Sequence, residues 1–396
     1  MKNKYKRTVI ASYLGYGTQA IVNNLAPLLF VIFQNEFQIS VGQIGFLVTF
    51  NFLVQILTDY VSAKFVDRIG YKTCIIAAHI FSAVGLMGLG IFPDLFPSPY
   101  TGLLVAIAIY AVGGGLIEVL VTPIVEAVPT DSGGASIPLL HASYPLAHAV
   151  LVIATTIYLR FAGSEGWRVL PCFWALVPLF NIFLFAVSPV HMLSEKTESI
   201  SVRKLFSMKL FWLLVILMVC SGASEHSMVQ WASYFAEKGL NVSKATGDLI
   251  GPCMFAILMG TVRVVYGIKG DKLPIKKTLM VSGILCVASY LTAVFAPHPI
   301  LSLIGCGVCG ISVALMWPGV FTLAAKECPE GGTAMFAYLA LAGDLGCGAG
   351  PSVVGIVSET FGGQLKFGLL AAILFPIGLL IGIRVLRSKA MTNRPH

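Results

Sequence analysis

Short polar gaps cut this chain of 396 residues into about a dozen apolar stretches, each long enough to cross a hydrocarbon core of about 30 Å. Hydrophobic residues make up 57% of it and charged residues 11%, whereas a soluble domain spreads about a quarter of its positions over charged side chains that face water. The outer surface of such a chain has to face lipid. The stretches fall near residues 8–34, 42–66, 73–93, 100–128, 137–162, 168–187, 208–236, 244–267, 277–296, 300–325, 334–360 and 367–386. Backbone N–H and C=O groups find no water in lipid, so each span must satisfy its own hydrogen bonds. Stretches this long and uniformly apolar do not fit the alternation of barrel strands. The expected fold is an all-α membrane protein of twelve transmembrane helices.

Lys and Arg are distributed unevenly between the two sets of loops. With both termini and the even-to-odd loops on one side, that side holds 20 of them and the other holds 5, Arg160, Arg168, Lys238, Lys244 and Lys366, with Arg263 left inside a helix. By the positive-inside rule both termini are expected in the cytoplasm. The net charge of +8 then follows from topology and calls for an anionic lipid leaflet, not a nucleic acid. The basic start runs into a first helix too long for a cleaved signal peptide, with no small-residue cleavage site before the next span. The nine cysteines lie mostly within spans, and even the C-x-x-C of Cys306 and Cys309 has no ligand candidates nearby, so they read as packing residues. No metal site, cofactor or disulfide is expected. Short loops and bare termini point to a bacterial inner membrane and a monomer.

The longest polar interruption, residues 188–207, divides the chain into halves of nearly equal length, 1–187 and 208–396. These halves look like copies. Asp67, Arg68 and Lys72 follow the second helix, and Asp271, Lys272, Lys276 and Lys277 follow the eighth, at an offset of 204 residues. Ser40 and Ser243 begin the second and eighth helices, while Pro123 and Pro318 are expected to interrupt the fourth and tenth. Parallel six-helix repeats about an axis normal to the membrane suit a two-bundle architecture with a central cytoplasmic linker.

The run Asp67-Arg68-Ile69-Gly70-Tyr71-Lys72, between the second and third of twelve helices, resembles the signature loop of the major facilitator superfamily, with Ala63 where that family usually carries Gly. Several helices further resemble its fucose/galactose/glucose proton symporter branch: Gly113 to Gly115, Glu118 and Pro123 in the fourth helix, and Gly222 to Glu225 in the seventh. The same holds for Gly260 to Arg263, Trp317 to Phe321, and Gly346 to Pro351. The resemblance implies a secondary transporter of two pseudo-symmetric six-helix bundles, coupled to protons. In one respect the chain departs from the branch: Asn23-Asn24-Leu25-Ala26-Pro27 stands near where the branch carries an Asp in its first helix. A coupling scheme built on two carboxylates from the first and fourth helices is therefore unavailable to it.

Ionisable groups at membrane depth cost at least about 2.5 to 3.5 kcal/mol each on insertion scales, so those that persist point to function. Glu118 stands about midway along its helix, and burial penalises the charged form of a carboxyl, which suits a group that must bind and release a proton. His141, Tyr144 and His148 share one face of the fifth helix at i, i+3 and i+7. Their two imidazoles, about 10.5 Å apart along the axis, cannot share a metal without a further helix. Proton coupling is thus expected at Glu118, His141 and Glu225. Polyhydroxylated solutes pair C–H surface with aromatic rings and hydroxyls with amides. Solute contacts are accordingly expected from Gln19, Asn23, Asn24, Asn51 and Gln55 in one half, and from His141, Tyr144, Gln230, Trp231 and Trp317. Asp59 and Arg263 are related by the 204-residue offset, and a gating set of Asp59, Asp67, Arg68, Arg263, Asp271, Lys272 and Asp344 is expected towards the cytoplasmic side.

Nothing matches a phosphate-binding loop, so any energy should come from a gradient. No nucleophile–base pair appears either, and no enzymatic activity is expected. The favoured expectation is alternating-access transport of a small polar solute, a sugar in the first instance, with protons and lipids as the other partners. Two alternatives stand beside it. Efflux of lipophilic or drug-like compounds would favour an aromatic, amide-poor cavity, and a non-transporting sensor or partner-binding protein would need an added domain or tail.

Overall fold

The computed structural model describes residues 2–128, 137–190, 202–269, 274–328 and 331–392. These contain helix and no strand. Eleven helices are long and apolar enough to cross a bilayer, and a twelfth span consists of Tyr5–Leu28 and Phe30–Phe37, which meet at 47°. In chain order the spans are α1 (Lys2–Leu28 with Phe30–Phe37), α2 (Val41–Ile69), α3 (Tyr71–Leu95), α4 (Pro99–Glu126), α5 (Ile137–Ala162) and α6 (Val169–Val187). After the linker come α7 (Lys209–Gly239), α8 (Lys244–Ile268), α9 (Ile275–Phe295), α10 (Pro299–Glu327), α11 (Gly332–Thr360) and α12 (Leu365–Leu386). The linker carries a short helix of its own, Val202–Ser207.

Local chemistry explains where these helices start. Ser40 caps α2 with a capping box, its hydroxyl taking the Gln43 amide and the Gln43 side chain returning to the Ser40 amide. Ser243 caps α8 by accepting from the Thr246 amide. Pro99 and Pro299 begin α4 and α10, where the missing N–H would have had no partner anyway.

Interior breaks follow a different pattern from the one expected. The helix α4 runs unbroken from Pro99 to Glu126 through Pro123, so Pro123 interrupts nothing. Breaks fall at Leu29 in α1, Trp231 in α7 and Leu315 in α10, with φ of −106°, −102° and −104° and ψ within a few degrees of zero, and a milder one at Ile373 in α12 with φ −59° and ψ −22°. Proline removes the donor for the carbonyl four residues earlier, and two of these carbonyls are recovered by side chains. The Asn23 carbonyl, orphaned by Pro27, accepts from Gln230 Nε2 at 3.2 Å, and the Ala314 carbonyl, orphaned by Pro318, accepts from Arg263 Nε at 3.2 Å.

Within each half the helices pack closely, as α3 does on α4, where a Cβ at Gly85 would lie 2.3 Å from the Tyr110 backbone nitrogen. Between halves the contacts concentrate on one face. The start of α2 meets the end of α11 so tightly that a Cβ at Gly355 would stand 3.3 Å from the Gly45 Cα. Thr49 donates to the Gly348 carbonyl at 2.9 Å and also meets Ser352. Tyr234 at the end of α7 donates to Gln34 at the end of α1 at 2.8 Å. All of these lie away from the ends of the chain. Nearer the opposite face, which holds the start of α1 and the end of α12, α5 and α8 still touch, a Cβ at Gly260 lying 3.0 Å from Leu146 Cδ2, and the halves part beside that contact.

Candidate functional site

A cavity of about 360 Å³ opens between the halves. Its wall takes Tyr16, Gln19 and Asn23 from α1, Phe52 from α2, Glu118 from α4, and His141 and Tyr144 from α5. From the other half come Glu225 and His226 of α7, Arg263 and Tyr266 of α8, Trp317, Pro318, Phe321 and Thr322 of α10, and Asp344 and Cys347 of α11. On α4, α5, α8 and α10 these residues fall in the half of the helix nearer the chain termini. The structure is thus open towards the face of the termini and closed on the far face.

Glu118 meets the cavity where α4 passes α1, and Gln19 Nε2 donates to its Oε2 at 2.5 Å. One turn earlier, Gly115 lets α2 approach: a Cβ there would lie 2.8 Å from Asp59 Oδ1 and 3.0 Å from the Gln55 carbonyl. Asp59, Glu118 and Asp344 are close enough for their charges to act on one another. Among the described residues, Arg263 is the one Lys or Arg on the wall. It is held by the Ala314 carbonyl at 3.2 Å and lies 3.6 Å from Glu225 Oε2, a distance for charge attraction and not for a hydrogen bond.

The structure brings together Gln19, Asn23, Glu118, His141, Tyr144, Glu225 and Trp317, with Arg263 and Asp344 from the set expected at the gate. His141 is exposed on the wall and tilts against Tyr16, ring centroids 5.4 Å apart. The remaining amides lie outside the wall, at the closed end. Asn51 and Gln55 donate to Asn23 Oδ1 at 3.1 and 2.7 Å, Asn24 donates to the Tyr144 hydroxyl at 3.0 Å, and Gln230 donates to Asn24 at 3.2 Å. Trp231 is fully buried away from the cavity, its indole N–H on the Pro351 carbonyl at 3.0 Å and its ring against Gly45 and Gly355. In this state the ring seals the far face and touches no cavity space. His148 is buried as well and leaves the wall to His141 and Tyr144.

The expected gate is dispersed. Arg263 and Asp344 face the cavity, Asp59 lies behind it against α4, and Arg68 is exposed at the end of α2. Asp271 and Lys272 lie outside the described residues, as does the side chain of Asp67.

Sequence reasoning passed over Tyr16, Phe52, Tyr266 and Phe321. Tyr16 was within reach, because Tyr16, Gln19 and Asn23 repeat at i, i+3 and i+7 as the α5 stripe does. It also missed a polar hub on the closed face. Lys244 Nζ lies 3.1 Å from Asp248 Oδ2 and 3.2 Å from Glu237 Oε1, and donates to the Leu28 carbonyl at 2.7 Å. Asp248, with no exposed surface, accepts from Thr156 of α5 at 3.1 Å and from Ser233 at 2.5 Å. The hub therefore ties α7 and α8 to α1 and α5 across the interface between halves. Its trace in sequence is the i, i+4 pair of Lys244 and Asp248 in the first turns of α8.

The sequence profile described as Major Facilitator Superfamily matches residues 9–351 and, again, 255–395. No curated protein matches the chain in sequence. Among solved structures the fold is similar to the xylose transporter of E. coli in a partially occluded inward-open conformation, at 13% identity, with 98% of each chain covered and a TM-score of 0.77. It is also similar to the fucose:proton symporter of E. coli, at 18% identity, covering 96% of this chain and 99% of that one, TM-score 0.66. A nucleoside transporter matches at 14% identity over 96% and 98% of the two chains, TM-score 0.75.

Proposed function

The chain belongs to the Major Facilitator Superfamily, and from that premise we propose that it moves a small polar solute, a sugar or sugar-like molecule, by alternating access coupled to protons. That it is a multi-pass integral membrane transporter and not an enzyme follows from the family and the apolar helices. In the finer reading, residues 1–187 and 208–396 rock as two bundles about the cavity, joined by the linker 188–207. The 20-to-5 excess of Lys and Arg supports cytoplasmic termini, and in this reading the open face is the inner one, in a bacterial inner membrane.

The observation that carries the proton step is Glu118. It is an acid at membrane depth on the cavity wall, with a neutral amide, Gln19, as its hydrogen-bond partner and no ion pair among the described residues. Such a carboxyl can gain or lose a proton without breaking a salt bridge, and it reaches solution only through the cavity. Likeness to proton symporters of fucose and xylose and the fragments shared with the fucose branch favour a sugar. In reconstituted vesicles Glu118→Gln is expected to abolish uphill accumulation while leaving solute exchange largely intact, and full accumulation by that variant would remove Glu118 from the mechanism.

A second reading, efflux of amphipathic compounds, is favoured by one feature: the wall shows the rings of Tyr16, Phe52, Tyr144, Tyr266, Trp317 and Phe321 but only the amides of Gln19 and Asn23. The two readings separate in a binding screen of sugars against lipophilic cations. Sugar binding favours the first and dye binding the second.

A further inference from the structure

The polar groups of this cavity want donors. Glu118, Glu225 and Asp344 set three carboxyls on the wall against the single guanidinium of Arg263, whose Nε is already committed to the Ala314 carbonyl. Asp344 is 2% exposed, and its Oδ2 has no hydrogen-bond partner among the described residues. Independently of the acids, Gln19 is 4% exposed and spends its amide N–H on Glu118, leaving Oε1 unpartnered. Buried acceptors are costly until a donor reaches them, and a carboxylate is best met by a charged one.

We infer that the solute carries an ammonium group besides its hydroxyls: an amino sugar or a similarly hydroxylated amine, with the ammonium beside Asp344 and Glu118 and the ring C–H face on Trp317. Arg263 can act as counterion to one of the three carboxyls, and an ammonium would give a second its ion-pair partner. A neutral sugar leaves that carboxyl unmatched, and a sugar acid adds a further one. The aromatic rings that seemed to argue against a polar solute fit the same ligand, because the faces of Trp and Tyr attract a cation. This inference rests on the reading of the cavity as the solute site and narrows the chemical class bound there.

The test uses the purified full-length protein in lipid nanodiscs at neutral pH, titrated with D-glucosamine, N-acetyl-D-glucosamine, D-glucose and D-glucuronate, with binding read from intrinsic Trp fluorescence and from the thermal shift. Glucosamine is expected to bind at least tenfold more tightly than its neutral N-acetyl analogue or glucose, and glucuronate not at all. Asp344→Asn should lose tenfold or more for glucosamine and with it the preference over glucose, while Asp344→Glu restores the preference. Elution volume and ligand-free melting serve as the folding controls. If glucose equals glucosamine, or if folded Asp344→Asn binds glucosamine as the parent does, the charge inference is overturned and the transporter reading survives. Failure of every sugar probe, whatever its charge, overturns both.

Discussion

Arg263 is held from two directions, and the two holds have different origins. Its Nε takes a backbone carbonyl that exists as a free acceptor only because Pro318 has no N–H to offer Ala314. Its other end is drawn to Glu225 across 3.6 Å by charge alone. Arg263→Lys keeps the charge and loses the planar fork that serves both partners. It is expected to cost about 1.5 to 3 kcal/mol, the range for a hydrogen bond to a charged group, seen as a lower melting temperature, with solute affinity falling as Glu225 loses its counterion. Gly115 makes a second prediction of this kind. A methyl there would stand 3.0 Å from a backbone carbonyl that cannot swing aside, so Gly115→Ala should destabilise by about 1 to 3 kcal/mol through forced separation of α2 and α4. A variant as stable as the parent would show that the two helices have room to part.

Among the helices, proline is a poor guide to where a span bends. Pro123 and Pro145 sit inside continuous helices, whereas α7 breaks at Trp231 with no proline at all. Membrane helices tolerate a lost backbone bond wherever a neighbour re-satisfies the freed group, and that depends on the facing helix, which a single sequence does not display. Pro318→Ala tests this coupling. It returns an N–H to the Ala314 carbonyl in competition with Arg263, and is expected to straighten α10, raise the melting temperature and slow transport.

The same limit governs what could be read of the site. Twelve apolar runs and two halves follow from composition and spacing, because lipid imposes length and polarity on every span. Glu118 stood out because an acid at that depth is costly. Asn24, Asn51, Gln55 and Gln230 were indistinguishable from wall residues in sequence, yet they lie behind the wall, where Asn51 and Gln55 donate to Asn23 and Gln230 donates to Asn24. An inner helix is protein-facing on most sides, so periodicity says that a residue is inside without saying what it faces.

For the whole molecule the asymmetry between faces is the main fact: the halves meet on the far face and part towards the termini. Lys244 and Asp248 join four helices across the closed face, and a buried ion left without its partner costs about 3 to 5 kcal/mol. Lys244→Met is therefore expected to open the far face, measured as faster labelling of single cysteines placed near Gln34 and slower labelling of those near Thr322. The double change Lys244→Met with Asp248→Leu should recover part of the stability but not the closure. Asp59→Asn is expected to shift the same equilibrium from the other end, because Asp59 lies beside Glu118 near the open face. Unaltered labelling on both faces would argue against it.

The bend at Leu29 deserves a different emphasis from the side chains around it. The oxygen on α1 that Lys244 grips belongs to the main chain of Leu28, so no side-chain replacement along that helix can delete this half of the latch. Drift in the first span can repaint the wall of the cavity while the fastening stays in working order, and only a change in the helix's path would undo it.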